Sequence, residues 1–191
     1  MIDIYASIKT TGTIPWKHGI TEIALLASTQ EKVIDQTFTR MNPGEVDIDP
    51  KALEINGEDA TTISQLMPQQ YAFNVINNFL SKHKQPDEKF MLIAYNAPFV
   101  YDFIMNFFKR NIEQPENPEE KALNPFFDYF YSPALDVMQV ANLMLKEIRP
   151  NIPDFKLPTI CSAFELLPQR NNSCIQSVRQ VYMLYNKLIS Q

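Results

Sequence analysis

Between Ile2 and Leu26 the chain reads as a strand, a tight turn and a second strand. Ile2 to Ile8 mixes β-branched and aromatic residues, the composition of a mostly buried strand. Thr10-Thr11-Gly12 supplies the turn, and after a short excursion Ile20-Thr21-Glu22 opens a run of apolar residues to Ala27. Lys32 to Arg40 has the mixed pattern of a strand partly open to water, so the chain begins as an antiparallel meander. A β-hairpin this early needs something to cover its faces, and the rest of the sequence must provide it.

The length of 191 residues suits one α/β domain over residues 1–191. No apolar run approaches the roughly 18 residues that span a bilayer. The chain starts directly in a strand pattern rather than in a secretory leader, and its two cysteines, Cys161 and Cys174, make no C-x-x-C pair. These features predict a cytoplasmic protein with no membrane partner and two buried thiols. A net charge of −5 argues against broad nonspecific duplex binding, which needs clustered Lys and Arg, but leaves room for a single-stranded end in a local cleft.

Further along, Asp49 and Pro50 are placed to start a short helix that Gly57 closes. Pro68 to His83 carries Ala72, Val75, Ile76, Phe79 and Leu80 at helical spacing, with His83 read as a surface residue near the helix end. Phe90 to Ala94 is a short apolar run of the kind buried in a parallel sheet. Asn111 to Glu120 reads as an exposed acidic, Pro-rich loop. The aromatic run Phe126, Phe127, Tyr129, Phe130 and Tyr131 is dense enough to serve as core packing with a covered edge, or as a self-association patch. A last helix is expected to bury Ile175, Val178, Tyr182, Tyr185 and Ile189.

Three segments together resemble the DnaQ-like 3′–5′ exonucleases of the DEDDh family. Ser7-Ile8-Lys9-Thr10-Thr11-Gly12 is similar to the first motif, D-x-E-T-T-G. Tyr95-Asn96-Ala97-Pro98-Phe99-Val100-Tyr101-Asp102-Phe103 is similar to H-N-A-x-F-D-x-x-F. Asn172 to Val178 is similar to H-x-A-L-x-D-A, with its spacing of five preserved. The resemblance implies a ribonuclease H-like α/β fold, a mixed β-sheet flanked by helices. It also implies a two-metal phosphodiester hydrolysis in which four carboxylates hold the ions and a histidine serves as base.

The positions that would carry that chemistry hold Ser7, Lys9, Val100, Asn172 and Ser177. None is a carboxylate, and none is a base near neutral pH. Hard divalent ions need anionic oxygen ligands, and an ammonium at position 9 repels them. Asp3 lies roughly 13 Å from position 7 at 3.3 Å per residue. Asp102 is about 200° around a helix from position 100. Pro133 to Val137 and the helix through Leu145 resemble the family's strand-to-helix passage, and Asp136 within it lies outside the carboxylate set.

The resulting expectation is a pseudo-exonuclease with no catalytic residues and no metal cofactor. It would bind a single-stranded nucleic-acid end or a protein partner through Lys9, Thr10, Thr11, Gly12, Asn96 and Phe99, with Lys9 holding a phosphate or carboxylate in place of the metal charge. The alternative is an active 3′–5′ exonuclease using Mg²⁺ or Mn²⁺ on relocated ligands, which leaves the question of an enzyme open.

Overall fold

The computed structural model describes residues 2–29, 32–112, 124–167 and 171–190. Strands β1 (Asp3–Thr10), β2 (Ile20–Ser28) and β3 (Val33–Arg40) form the antiparallel meander expected from the sequence. β4 (Met91–Ala94) and β5 (Leu135–Asp136) add in parallel, giving a mixed five-stranded sheet in the order β3-β2-β1-β4-β5. The hairpin strands thus occupy one half of the sheet and the crossover strands the other.

Helices cover both faces. On one side lie α3 (Gln69–His83), α4 (Ala97–Asn111) and α5 (Phe126–Tyr129), packed with Ile4, Ala6, Ile23, Leu25 and Leu92. On the other, α6 (Val137–Met144), α7 (Leu157–Ala163) and α8 (Cys174–Ile189) pack against Tyr5, Ala24, Leu26 and Ile93. The alternation along β1 and β2 assigns successive side chains to opposite faces, as the two-residue period requires. Every residue of β2 is buried, so its apolar run reflects a strand covered on both faces.

A short helix flanks the end of β1. In α1 (Pro50–Asn56) the Asp49 side chain accepts from the Lys51 N–H at 2.9 Å, and Gly57 closes the helix in the left-handed region. α2 (Ala60–Ser64) follows, capped by Asp59. The cap residues read from the sequence therefore act as expected.

The last helix differs from its sequence reading. Its buried row is Cys174, Val178, Val181, Leu184 and Leu188, while Tyr182 and Tyr185 are half-buried and Ile189 is 59% exposed. The tyrosines sit at the margin of the contact, their rings edge-on to Tyr5 at 5.3 and 6.0 Å. A phenol placed there covers apolar surface without losing access of its hydroxyl to water. Most of the expected acidic loop lies outside the described residues. No described helix is long and apolar enough to cross a membrane.

Candidate functional site

The carboxyl ends of β1 and β4 open beside the N-terminus of α4 and the first turn of α8. Between them is a pocket of ≈ 190 Å³ whose wall includes Ser7, Tyr95, Asn96, Phe99, Val100 and Ser177. Three of the five substituted positions therefore meet in one concavity. Each element has a clear reason to be there. β1 delivers Ser7 from the sheet centre, and the chain leaves β4 through Asn96, which adopts φ 60°, ψ 57° and lets Pro98 enter the first turn of α4. The Asn96 N–H donates to Asp136 Oδ1 at 3.0 Å, the same oxygen that caps α6 through the Met138 N–H at 3.0 Å. Asp136 thus pins the pocket floor to the neighbouring strand-to-helix corner.

Tyr95 donates its hydroxyl to the Phe155 carbonyl at 2.8 Å. Burial pushes its phenol well above the usual range, with negative charge from Asp136 and Asp154 adding to the effect and Arg149 opposing it. The hydroxyl stays protonated at any physiological pH. Phe99 stacks obliquely on Phe103 at 4.7 Å and is half-buried at the pocket wall.

Lys9 and Asn172 lie outside this wall and share another partner. Lys9 Nζ donates to the Asn56 carbonyl at 3.1 Å, and Asn172 Nδ2 reaches the same oxygen at 3.4 Å. Asn56 returns a hydrogen bond from its Nδ2 to the Thr10 carbonyl at 2.9 Å. The end of α1 is thereby tied to β1 and to the segment before α8.

A second contact defines the charge of Lys9. Directly across the antiparallel pair stands Glu22, whose Oε2 lies 3.6 Å from Lys9 Nζ. Glu22 also approaches Arg40 Nε at 3.7 Å and accepts the N–H of Cys174 through Oε1. Arg40 continues to Glu58 at 3.3 Å, and Glu58 takes the Thr21 hydroxyl at 2.7 Å. Two cations and two anions alternate through this cluster, and the Glu22 and Glu58 side chains are no more than 4% exposed. The Lys9 charge is balanced locally before any ligand arrives.

Thr10, Thr11 and Gly12 are organised as a structural corner. Thr11 Oγ1 donates to the Asp47 carbonyl at 2.7 Å and accepts the Gly19 N–H at 3.0 Å, and both threonines are buried. A Cβ on Gly12 would come within 2.4 Å of the His18 ring, so only glycine fits there. Asp102 opens toward a separate concavity with Pro98, Tyr101 and Pro133. Asp3 pairs with Ser28 and Met91 at the opposite end of β1.

The sequence reading missed Glu22 as a partner of Lys9. One signal was present: a lone acidic residue inside an otherwise apolar, doubly covered strand must find a partner. Identifying that partner required the strand register.

The donor set does not fit a pair of divalent ions. The pocket wall offers hydroxyls, an amide and a phenol in place of carboxylates, and Glu22 faces Lys9 and the Cys174 N–H. Among the described residues no three His, Cys, Asp or Glu side chains gather in a metal-holding group.

No family model and no curated protein sequence matches the chain. Solved structures do match. The zinc-bound E. coli exonuclease I–single-stranded DNA complex superposes with a TM-score of 0.75 at 16% identity, over 99% of this chain and 40% of the other. This chain has the DnaQ-like exonuclease fold. Cell-death related nuclease 4 gives a TM-score of 0.72 at 11% identity, over 99% of this chain and 64% of that nuclease. A complex of exonuclease I with SSB-Ct gives 0.71 at 17% identity, over 99% of this chain and 41% of the other. The chain thus spans less than two thirds of each of these proteins. At such identities the exonuclease fold is what is shared, and function rests on the site itself.

Proposed function

We propose that this exonuclease-fold protein has lost two-metal catalysis and acts by binding a single-stranded nucleic-acid end in the pocket beside Ser7 and Ser177. The carrying observation is the composition of that pocket: neutral hydrogen-bonding groups and an aromatic ring at the place where metal chemistry needs carboxylates. Ser7, Ser177, Asn96 and the Tyr95 hydroxyl suit sugar hydroxyls and base edges. The Phe99 ring suits stacking by an unpaired base, an interaction that tolerates any sequence. The fold neighbour in complex with single-stranded DNA makes this ligand class a natural first test.

Within this proposal Lys9 acts mainly as structure. Its ammonium organises Glu22 and the end of α1 rather than meeting the ligand directly. Thr10, Thr11 and Gly12 shape the corner, leaving Asn96 and Phe99 as the contacting members of the candidate binding set.

The test uses a 5′-fluorescein-labelled oligothymidylate at low salt, first with Mg²⁺ or Mn²⁺ and then with EDTA. Binding by anisotropy that persists in EDTA, with no shortened product on a denaturing gel, is the expected result. Metal-dependent trimming, abolished by EDTA, would overturn the loss of catalysis and favour relocated ligands. Absence of binding would remove the nucleic-acid reading and leave a protein partner.

A further inference from the structure

The pocket wall continues outward from Tyr95 to a cation that the motif resemblance does not touch. Tyr95 donates to the Phe155 carbonyl at 2.8 Å, and the Phe155 ring carries the Arg149 guanidinium 4.4 Å from its centroid. Arg149 belongs to a 3-10 turn, Lys146–Asn151, that follows α6. Among the described residues no ion pair joins Arg149 to a carboxylate, and its side chain is exposed. Lys9, by contrast, is held against Glu22.

We infer that Arg149, held over the Phe155 ring, is a phosphate-binding arm at the rim of the pocket, taking a backbone phosphate of the single-stranded nucleic-acid end whose terminal nucleotide enters beside Tyr95 and Phe99. This rests on the nucleic-acid reading above and adds the residue that supplies its charge.

Three physical points converge on it. Binding a nucleic-acid end requires cationic neutralisation of phosphate, and the groups lining the pocket are uncharged. An arginine stacked on an aromatic ring keeps its planar fork of donors directed outward, with less rotamer freedom to lose on binding than an unsupported side chain. The hydrogen bond from Tyr95 to the Phe155 backbone couples the platform to the pocket wall, so the charge and the cavity keep a fixed relation. Of the two carboxylates that act on Tyr95, Asp136 accepts the Asn96 and Met138 N–H groups, and Asp154 is met by Thr159 at 2.6 Å and by Lys156 at 3.5 Å, which limits their competition for Arg149.

The measurement is anisotropy of 5′-fluorescein-dT8 in EDTA at several salt concentrations, for the wild-type protein and for Arg149→Gln, Arg149→Lys and Phe155→Leu. Arg149→Gln is expected to weaken binding about tenfold, as loss of a charge-assisted hydrogen bond does. It should also make the log–log salt slope shallower by about one. Arg149→Lys is expected to recover the slope but only part of the affinity, and Phe155→Leu to fall between them. Lys187→Gln, removing the same charge from the last turn of α8, provides the control for net charge.

If the wild type binds and Arg149→Gln binds equally well with the same slope, the phosphate arm is wrong while the nucleic-acid reading stands. Equal weakening by Lys187→Gln would also overturn it, because the effect would then be one of net charge. If the wild type does not bind dT8, both fall together. Capture of fluorescein-labelled octaglutamate instead, dependent on Arg149, would assign the arm to an acidic peptide. Near-ultraviolet circular dichroism confirms that each variant is folded.

Discussion

Lys9 shows how one residue can carry a sequence signal and still require the folded chain to interpret it. The absence of a carboxylate at position 9 is legible in the sequence. The fate of the new charge is not, because Glu22 lies 13 positions away and meets Lys9 only through the β1–β2 register. With the Lys9 side chain 12% exposed and Glu22 4% exposed, removing one partner leaves the other charge poorly solvated. Lys9→Met is therefore expected to lower unfolding stability by about 3 kcal/mol in urea titrations. Lys9→Glu should cost at least as much, since it sets two carboxylates against each other. Adding Glu22→Gln to Lys9→Met should recover part of the loss, because the amide still accepts from the Cys174 N–H while Arg40 and Glu58 are left as a balanced pair. A double variant less stable than Lys9→Met would contradict this account. The two thiols have a simpler reading: both are buried, and burial pushes Cys161 up to about 12 and Cys174 well above its ordinary value.

At the scale of elements, the boundaries marked by chemistry were the most readable. Asp49, Pro50 and Gly57 specify α1 through a cap, a fixed φ and a left-handed closure, all local effects. The face of α8 was less readable because hydropathy alone ranks a tyrosine beside a leucine, whereas packing against the sheet selects the row that can lose all contact with water. His83 was read as a helix-end surface residue, and it serves a long-range link as well. Its Nε2 is 2.9 Å from Asp35 Oδ2, and Lys82 Nζ lies 2.8 Å from the same oxygen, joining α3 to the edge strand β3. These two donors hold the Asp35 carboxyl down to about 2. Because the folded value lies below the unfolded one, Asp35 contributes stability that is present above about pH 4 and lost as pH falls toward 2. Asp35→Asn should reduce the difference in unfolding midpoint between pH 5 and pH 2.5; an unchanged difference would exclude this link as a contributor.

The whole molecule follows from covering a meander on both faces, and the aromatic segment belongs to that task. Phe126 and Phe130 are buried, Phe126 meeting Phe108 and the half-buried Tyr101 edge-on, while Tyr129 bonds to Asn77 and lies within 2.6 Å of the Ser81 hydroxyl. Only Phe127 and Tyr131 of the five are largely exposed, at 46% and 39%, so any self-association through this segment has two rings to work with. Phe126→Ala is expected to cost about 3–5 kcal/mol, the range for emptying a packed aromatic site. Phe127→Ala should stay within about 1 kcal/mol of the parent in the same denaturation experiment. Comparable losses for the two would mean that Phe127 is covered in solution, which mass measurement by light scattering would then trace to a second copy.

The alternating charges behind β1 also limit how this chain can vary. A carboxylate introduced at position 9 would meet Glu22 before it could share a metal ion with a second new carboxylate at position 7, 100 or 177. A single step to a carboxylate at position 9 would therefore cross a less stable protein. Coordinated exchanges, in which Glu22 gives way to a neutral or basic residue alongside position 9, keep this cluster balanced. The ion cluster thus makes the present residue at position 9 a local optimum, separated from a carboxylate there by a valley rather than by a slope.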